Sequence, residues 1–256
     1  MTSAAPTFRW YGAREPVDTL GSVRHSLAVT NKDALEAAPP GRAYDSPLRR
    51  AQADATRNAV LDAAAALFVR DGYLRTTMKA IAGEARTSVE TVYAQGGKSA
   101  LLLACVDRAL GGDEDDVPLT DRADFAAALA RPDAADVVEG YVRAFAVVGA
   151  RAGGLLVAFE DAAASDAATA ELWAAAEQHR RQDLRRLVEA VAQRGPLAHG
   201  WGVETATDAV WLVVTPRAAH TAFTTLGWSI DLVTEAVTAQ LRALLLPGNS
   251  PPTSGP

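Results

Sequence analysis

The chain has 256 residues, 49% of them apolar and 22% charged, which is enough material for more than one packed domain and typical of a folded soluble protein. Its one cysteine, Cys105, excludes an internal disulfide and fits a reducing compartment, the cytoplasm. The formal charge of −6 divides unevenly: residues 56–100 carry 6 Lys/Arg against 4 Asp/Glu, and residues 101–256 carry 12 against 21, so contact with a polyanion such as DNA is expected only near the smaller segment.

Residues 1–50 mix charges with several Pro and Gly and show no sustained periodicity, so they are expected to be a disordered extension with at most a helical turn around Asn31 to Ala38. Phe8, Trp10 and Tyr11 are unusual there and are candidates for docking on the body or on a partner. An inert arm is the simpler expectation, although Arg42, Arg49 and Arg50 stand where they could run along phosphates. The N-terminus lacks the apolar core of a signal peptide, and no stretch is read as the roughly 20 apolar residues of a membrane span.

The segment from Thr56 to Leu110 is expected to form three short helices and a longer fourth, with residues 51–100 as one small domain. Val60, Leu61, Ala64, Leu67 and Phe68 recur at helical spacing, and Asp71-Gly72 stops that helix. Thr77 is placed to cap the second helix, whose buried side is Met78, Ile81, Ala82 and Ala85. Arg86-Thr87-Ser88 makes a turn, and Ser88 is a plain cap for a third helix from Val89 to about Ala94. Two short helices joined by such a turn form a helix-turn-helix, whose second helix points its first turns into the major groove of DNA.

The runs Ala64 to Ala82, Ser88 to Tyr93 and Lys98 to Leu102 resemble the tetracycline-repressor (TetR) family of bacterial transcription regulators. The resemblance implies an all-α protein, a helix-turn-helix domain followed by a larger helical ligand-binding and dimerisation domain. It further implies that Thr77, Tyr93 and Lys98 hold the phosphate backbone while Val89, Glu90, Thr91 and Ala94 face the bases. Arg86 and the cap Ser88 are counted with this DNA-facing set, Arg86 through reach to a phosphate. The chain departs from the family at two points. Arg86 stands where Gly is usual, at a position where the resemblance implies a left-handed backbone, and the link Ala94-Gln95-Gly96-Gly97 is one residue shorter and lacks the usual aromatic.

Cys105 falls on the apolar side of the fourth helix, which makes a buried residue the expected reading and a redox sensor the sharper alternative. Beyond Gly111-Gly112, the acidic run Asp113 to Asp116 reads as a solvated linker, and no metal or cofactor is expected. The body, residues 101–246, reads as helices throughout, with residues 247–256 as a disordered tail. One helix is expected from Ala134 to about Arg151, a break at Gly153-Gly154, a second from Leu155 to Ala164, and the longest from Ala167 to Arg194. Arg180, Arg181, Arg185 and Arg186, interleaved with Glu177, Asp183 and Glu189, are expected on a salt-bridged face rather than at a second nucleic-acid site.

Thr205 to Val214 and Ser229 to Leu246 read as two amphipathic helices, and in TetR-like proteins the equivalent pair meets its copy in a four-helix bundle. The homodimer surface is therefore expected on Ala209, Leu212, Val213, Val233, Ala236, Val237, Gln240, Leu241 and Leu244. A dimer would let two recognition helices about 34 Å apart read a palindromic operator. A small-molecule effector would need a mainly apolar pocket, with Tyr141, Phe145, Phe159, Trp173, Trp211, His220 and Phe223 as candidate lining residues.

An enzyme is not expected: His25, His179, His199 and His220 are scattered, and no phosphate-binding glycine loop or nucleophile elbow is present. The expectation is a repressor released from DNA by a ligand. The alternative is a helical ligand-binding or protein-interaction dimer whose reader no longer binds specific DNA.

Overall fold

The computed structural model describes residues 47–111 and 121–248. The expectations for residues 1–46, for the acidic run Asp113 to Asp116 and for residues 249–256 lie outside the described residues. Those described are helical, with no strand among them.

Four helices build the reader and its link to the body: α1 (Pro47–Asp71), α2 (Met78–Glu84), α3 (Val89–Gln95) and α4 (Lys98–Gly111). The first starts at Pro47, inside the expected extension, although apolar burial in it begins only at Val60. The body follows as α5 (Ala123–Leu129), α6 (Ala134–Ala163), α7 (Ala167–Ala192), α8 (Val203–Val213), α9 (Pro216–Thr224) and α10 (Ile230–Leu245).

Side-chain caps place most of these starts, because the first backbone N–H groups of a helix have no partner within it. Thr77 accepts from the Ala80 N–H, Ser88 from Thr91, Asp133 from Ala135 and Asp136, Asp166 from Thr169, Thr215 from Ala218 and Ser229 from Leu232.

α6 is the spine of the body, packing against α4, α5, α7, α9 and α10. It runs unbroken through Gly153-Gly154, so the expected break there is wrong. The glycines serve close packing instead. A Cβ on Gly149 would stand 3.1 Å from Cβ of Ala219, one on Gly153 would lie 3.5 Å from the His220 backbone nitrogen, and one on Gly154 would stand 2.9 Å from Val69. A glycine inside a helix costs roughly 1 kcal/mol relative to alanine, and the neighbouring turns of this long helix absorb that cost. As one helix of 30 residues, α6 is long and apolar enough to cross a membrane by length and composition (mean hydropathy 1.6 over 18 residues), which a division into two helices conceals. More than half of that window, 56%, is buried inside the protein, as expected of a core helix.

α5 and α9 go beyond the expected elements. Phe125 and Ala128 of α5 are buried against α6, and the Phe125 ring meets Tyr141 edge to face at 5.0 Å. In α9, Thr215 as cap and Pro216 at the first helical position form a start signal lying between the two helices expected at Thr205 to Val214 and Ser229 to Leu246.

One continuous apolar core runs from α1 through α4 into the body. α4 belongs to both parts. Its Leu101, Leu102 and Cys105 are buried, and its last carbonyls, Ala109 and Leu110, accept from the Arg151 guanidinium of α6. A cation at a helix C-terminus satisfies these carbonyls and opposes the helix dipole, fixing α4 to the spine.

Candidate nucleic-acid interface and ligand pocket

The reader turn closes through two backbone hydrogen bonds. Arg86 N–H donates to the Gly83 carbonyl at 3.2 Å and Thr87 N–H to the Ala82 carbonyl at 3.0 Å, with Arg86 at φ +53°. This is the Schellman arrangement, and the left-handed backbone expected at Arg86 is present without glycine. The Arg86 side chain is exposed.

On α3, Val92 is fully buried and anchors the helix, while Tyr93 is 59% exposed and Glu90 and Ala94 are also exposed. Val89 is half-buried and packs on the core, so it sits less openly than an expected base-facing residue should. Thr91 is half-buried, and its hydroxyl lies 3.0 Å from that of Ser88, which holds the cap. The Glu90 carboxyl is held below its usual range by its own backbone N–H and by the Ser88 hydroxyl. The short link after α3 is made possible by Gly96, at φ +133° and ψ 171°, a conformation closed to side-chain-bearing residues.

Lys98 opens α4. Its ammonium lies 4.2 Å above the Tyr73 ring centroid and 3.5 Å from the Leu74 carbonyl, so it is folded onto the reader in this state, and partial burial lowers its pKa. Cys105 is 1% exposed and its thiol is directed at the Leu61 carbonyl; burial pushes its pKa up to about 12. That environment matches the buried residue and opposes a reactive thiolate.

In the body, a narrow pocket of about 50 Å³ opens between α6 and α7, with Leu110 of α4 and Pro216 and Ala219 of α9 at its edges. Of the seven expected lining residues, Tyr141, Phe145 and Trp173 line it. The other four do not. Phe159 is fully buried and meets Trp173 edge to face, Trp211 stacks on Arg180, His220 lies over Gly153 and Gly154, and Phe223 packs near Gly149. Aromatic size identifies core residues as readily as lining residues, because both occupy buried helix faces. Glu177, Arg180 and Asp183, expected on a salt-bridged outer face, also line the pocket, from α7.

The remaining arginines behave as expected. Arg181 pairs with Glu204 and Asp208, Arg185 with Glu189 and Glu204, and Arg186 with Asp121, joining α7 to its neighbours. Of the expected dimer residues, Val233 and Leu241 are buried within the protomer and so are withdrawn from an outer surface. Leu212 is 70% exposed and Gln240 is exposed, while Ala209, Val213, Ala236, Val237 and Leu244 are half-buried. The misplacement follows from amphipathic helices that bury one side in their own core, where spacing cannot tell inner from outer apolar stripes.

Residues 60–105 match the family model described as bacterial regulatory proteins, tetR family. This region is a TetR-family helix-turn-helix domain. About three quarters of the chain shares its fold with solved regulators: PfmR, a TetR family transcriptional regulator from Thermus thermophilus, is 19% identical with TM-score 0.55, covering 76% of this chain and 97% of its own. SmeT, the repressor of the Stenotrophomonas maltophilia multidrug efflux pump SmeDEF, is 19% identical with TM-score 0.53, covering 78% and 96%. AibR, solved in complex with isovaleryl coenzyme A and operator DNA, is 15% identical with TM-score 0.54, covering 75% and 100%. No curated protein matches the sequence. α2, α3 and the first half of α4 lie within the residues that the tetR family model matches.

Proposed function

We propose that the protein is a homodimeric transcription regulator that binds a palindromic operator through α3 and is a repressor released from DNA by a small molecule in the pocket between α6 and α7. The observation that carries this reading is the exposed, capped α3 of a TetR-family domain, joined by α4 to a body with an apolar pocket. Thr77, Arg86, Ser88, Tyr93 and Lys98 hold phosphates in this reading, and Glu90, Thr91 and Ala94 meet base edges, with Val89 at their margin. Glu90 is ionised at neutral pH and suits the amino group of cytosine. Lys98 must swing off Tyr73 to reach a phosphate. The solved complex of AibR with an acyl-coenzyme A and operator DNA supports the pairing of two such sites in one chain of this fold.

Coupling needs a ligand that binds the DNA-incompetent state better, and roughly 100-fold preference corresponds to about 2.7 kcal/mol. The pocket touches the link directly: Leu110 of α4 lines it, and the adjacent Arg151 holds α4 to α6. With so little free volume, a bound ligand has to part α6, α7 and α9, and α4 moves with them. The protein works in the cytoplasm as a dimer through α8 and α10, with exposed Leu212 and the half-buried apolar residues of α10 at the seam.

A reader without specific DNA binding is the reading that Arg86 and the short link would favour. Against it stand the intact Schellman closure at Arg86 and the compensating geometry of Gly96. The test is selection of the purified protein on randomised duplex DNA, then titration of the winners at two salt concentrations. An enriched palindrome bound by a dimer is expected. Weak, salt-sensitive binding without enrichment would reject sequence-specific regulation.

A further inference from the structure

One residue of the pocket wall also holds the end of α8. That helix stops at Val213, and Val214 turns out of it at φ −89° and ψ 84°. The last carbonyls of a helix have no partner within it. Nor does α9 supply one to Val214, because the Ala218 N–H that a continuous helix would offer donates to the Thr215 hydroxyl at 3.1 Å. Arg180 of α7 fills the gap. Its Nη1 donates to the carbonyls of Trp211 and Val214, at 3.4 and 2.6 Å. Nε and Nη2 donate to both oxygens of Glu177, at 3.0 and 2.6 Å, which fixes the plane of the guanidinium. The Trp211 ring covers it, with 5.1 Å between the ring centroid and Cζ.

Arg180 and Glu177 both line the pocket, as do Pro216 and Ala219 just beyond the break that Arg180 holds. Exposed Leu212, assigned above to the dimer seam, lies between the two residues whose carbonyls are clamped. The other end of α8 is tied to α7 differently. Arg181 pairs there with Glu204 and Asp208, at 3.1 and 2.7 Å, through side chains that are all more than a third exposed and outside the pocket wall. Exposed ion pairs contribute little, whereas a mostly buried cation on the carbonyls of a helix end is a firm hold. The direction in which α8 presents Leu212 is therefore set from the pocket side.

We propose that Arg180 is a positioning residue that ties the dimer seam to the pocket, so that whatever shifts Arg180 in the pocket wall alters the dimer. This rests on the reading of α8 and α10 as the seam. The test is the dimer dissociation constant of full-length variants, from sedimentation equilibrium over a dilution series, with circular dichroism as the check on folding. Arg180→Met is expected to raise that constant about tenfold, Arg180→Lys by less, and Arg181→Met hardly at all. Glu177→Gln, a change in the pocket wall, is expected to raise it a few-fold, and to add nothing in the Arg180→Met background because it acts through the guanidinium. Should Arg180→Met fail to fold, Arg180→Lys replaces it throughout. An unchanged constant on loss of Arg180, an equal effect of Arg181→Met, or additive effects of Glu177→Gln and the Arg180 variant each overturn the inference and leave the seam standing. If Leu212→Asp leaves the dimer intact, the seam reading falls and the inference with it.

Discussion

Replacing Arg86 by glycine should raise stability and lower DNA affinity at once. At φ +53°, a side chain costs about 1 to 2 kcal/mol that glycine does not, because Cβ crowds the following carbonyl. Glycine also gives the unfolded chain more freedom, which takes back roughly 0.4 to 1 kcal/mol. The Schellman bonds at 3.2 and 3.0 Å are made by backbone and survive the change. The net gain is therefore about 0.5 to 1 kcal/mol, or a few degrees in Tm for a chain of this size. Arg86→Ala is the control, since it keeps the strain and removes the guanidinium. Urea unfolding followed by circular dichroism, at fixed protein concentration, should place alanine near wild type and glycine above both. Both variants should reduce the slope of log affinity against log salt by about 0.9 for the lost phosphate contact. Identical unfolding midpoints for the glycine and alanine variants would show that the left-handed backbone costs nothing there. An unchanged salt slope would remove Arg86 from the phosphates.

Tyr93→Phe should weaken binding to every sequence alike, whereas changing Thr91 should alter the selected motif; an identical motif would show that Thr91 reads nothing. Gly83→Ala, in open space on α2, should stabilise by about 0.5 to 1 kcal/mol, while Gly154→Ala should lose that gain against Val69 at 2.9 Å and disturb DNA binding by pushing on α1; equal gains in thermal unfolding would refute the packing role of Gly154. Asp107 has an oxygen buried without a hydrogen-bond partner, and burial raises its pKa to about 7. A carboxyl raised in the folded state costs nothing below its unfolded pKa near 4 and loses stability as pH climbs to 7, so Asp107→Asn should stabilise by on the order of 2 kcal/mol at pH 8 and by little at pH 4. A pH-independent difference in unfolding free energy would contradict that.

The reader is legible in the sequence because each of its signals is local. Thr77 and Ser88 announce their helices within three residues, Val60 to Phe68 shows its buried side by spacing alone, and the strain at Arg86 follows from the turn it occupies. The body is legible as helices but not as an arrangement of them. Gly153-Gly154 reads locally as a stop, yet what decides it is a neighbour more than sixty residues away, the backbone of His220. Other neighbours remote in sequence decide why four of the seven expected pocket residues lie outside this pocket, and why Arg180, expected as a solvated surface cation, has a side chain only 13% exposed and bonded to α8 and its C-cap.

These errors share a cause, and it bears on how the molecule could switch. Gly149 and Gly153 line the pocket, and Gly154 beside them meets Val69 of α1, so this stretch of α6 faces both the pocket and α1. α9 lies across the same turn, with Ala219 on Gly149 and His220 on Gly153 and Gly154. A ligand too large for the present cavity cannot enter without lifting α9 or bending α6 there, and either movement changes the contact under α1. The stripe without side chains, which looks like a helix stop in the sequence, therefore leaves the spine with no slack between pocket and reader. Bulk added at Gly154 should act on DNA binding from the reader side even with the pocket empty.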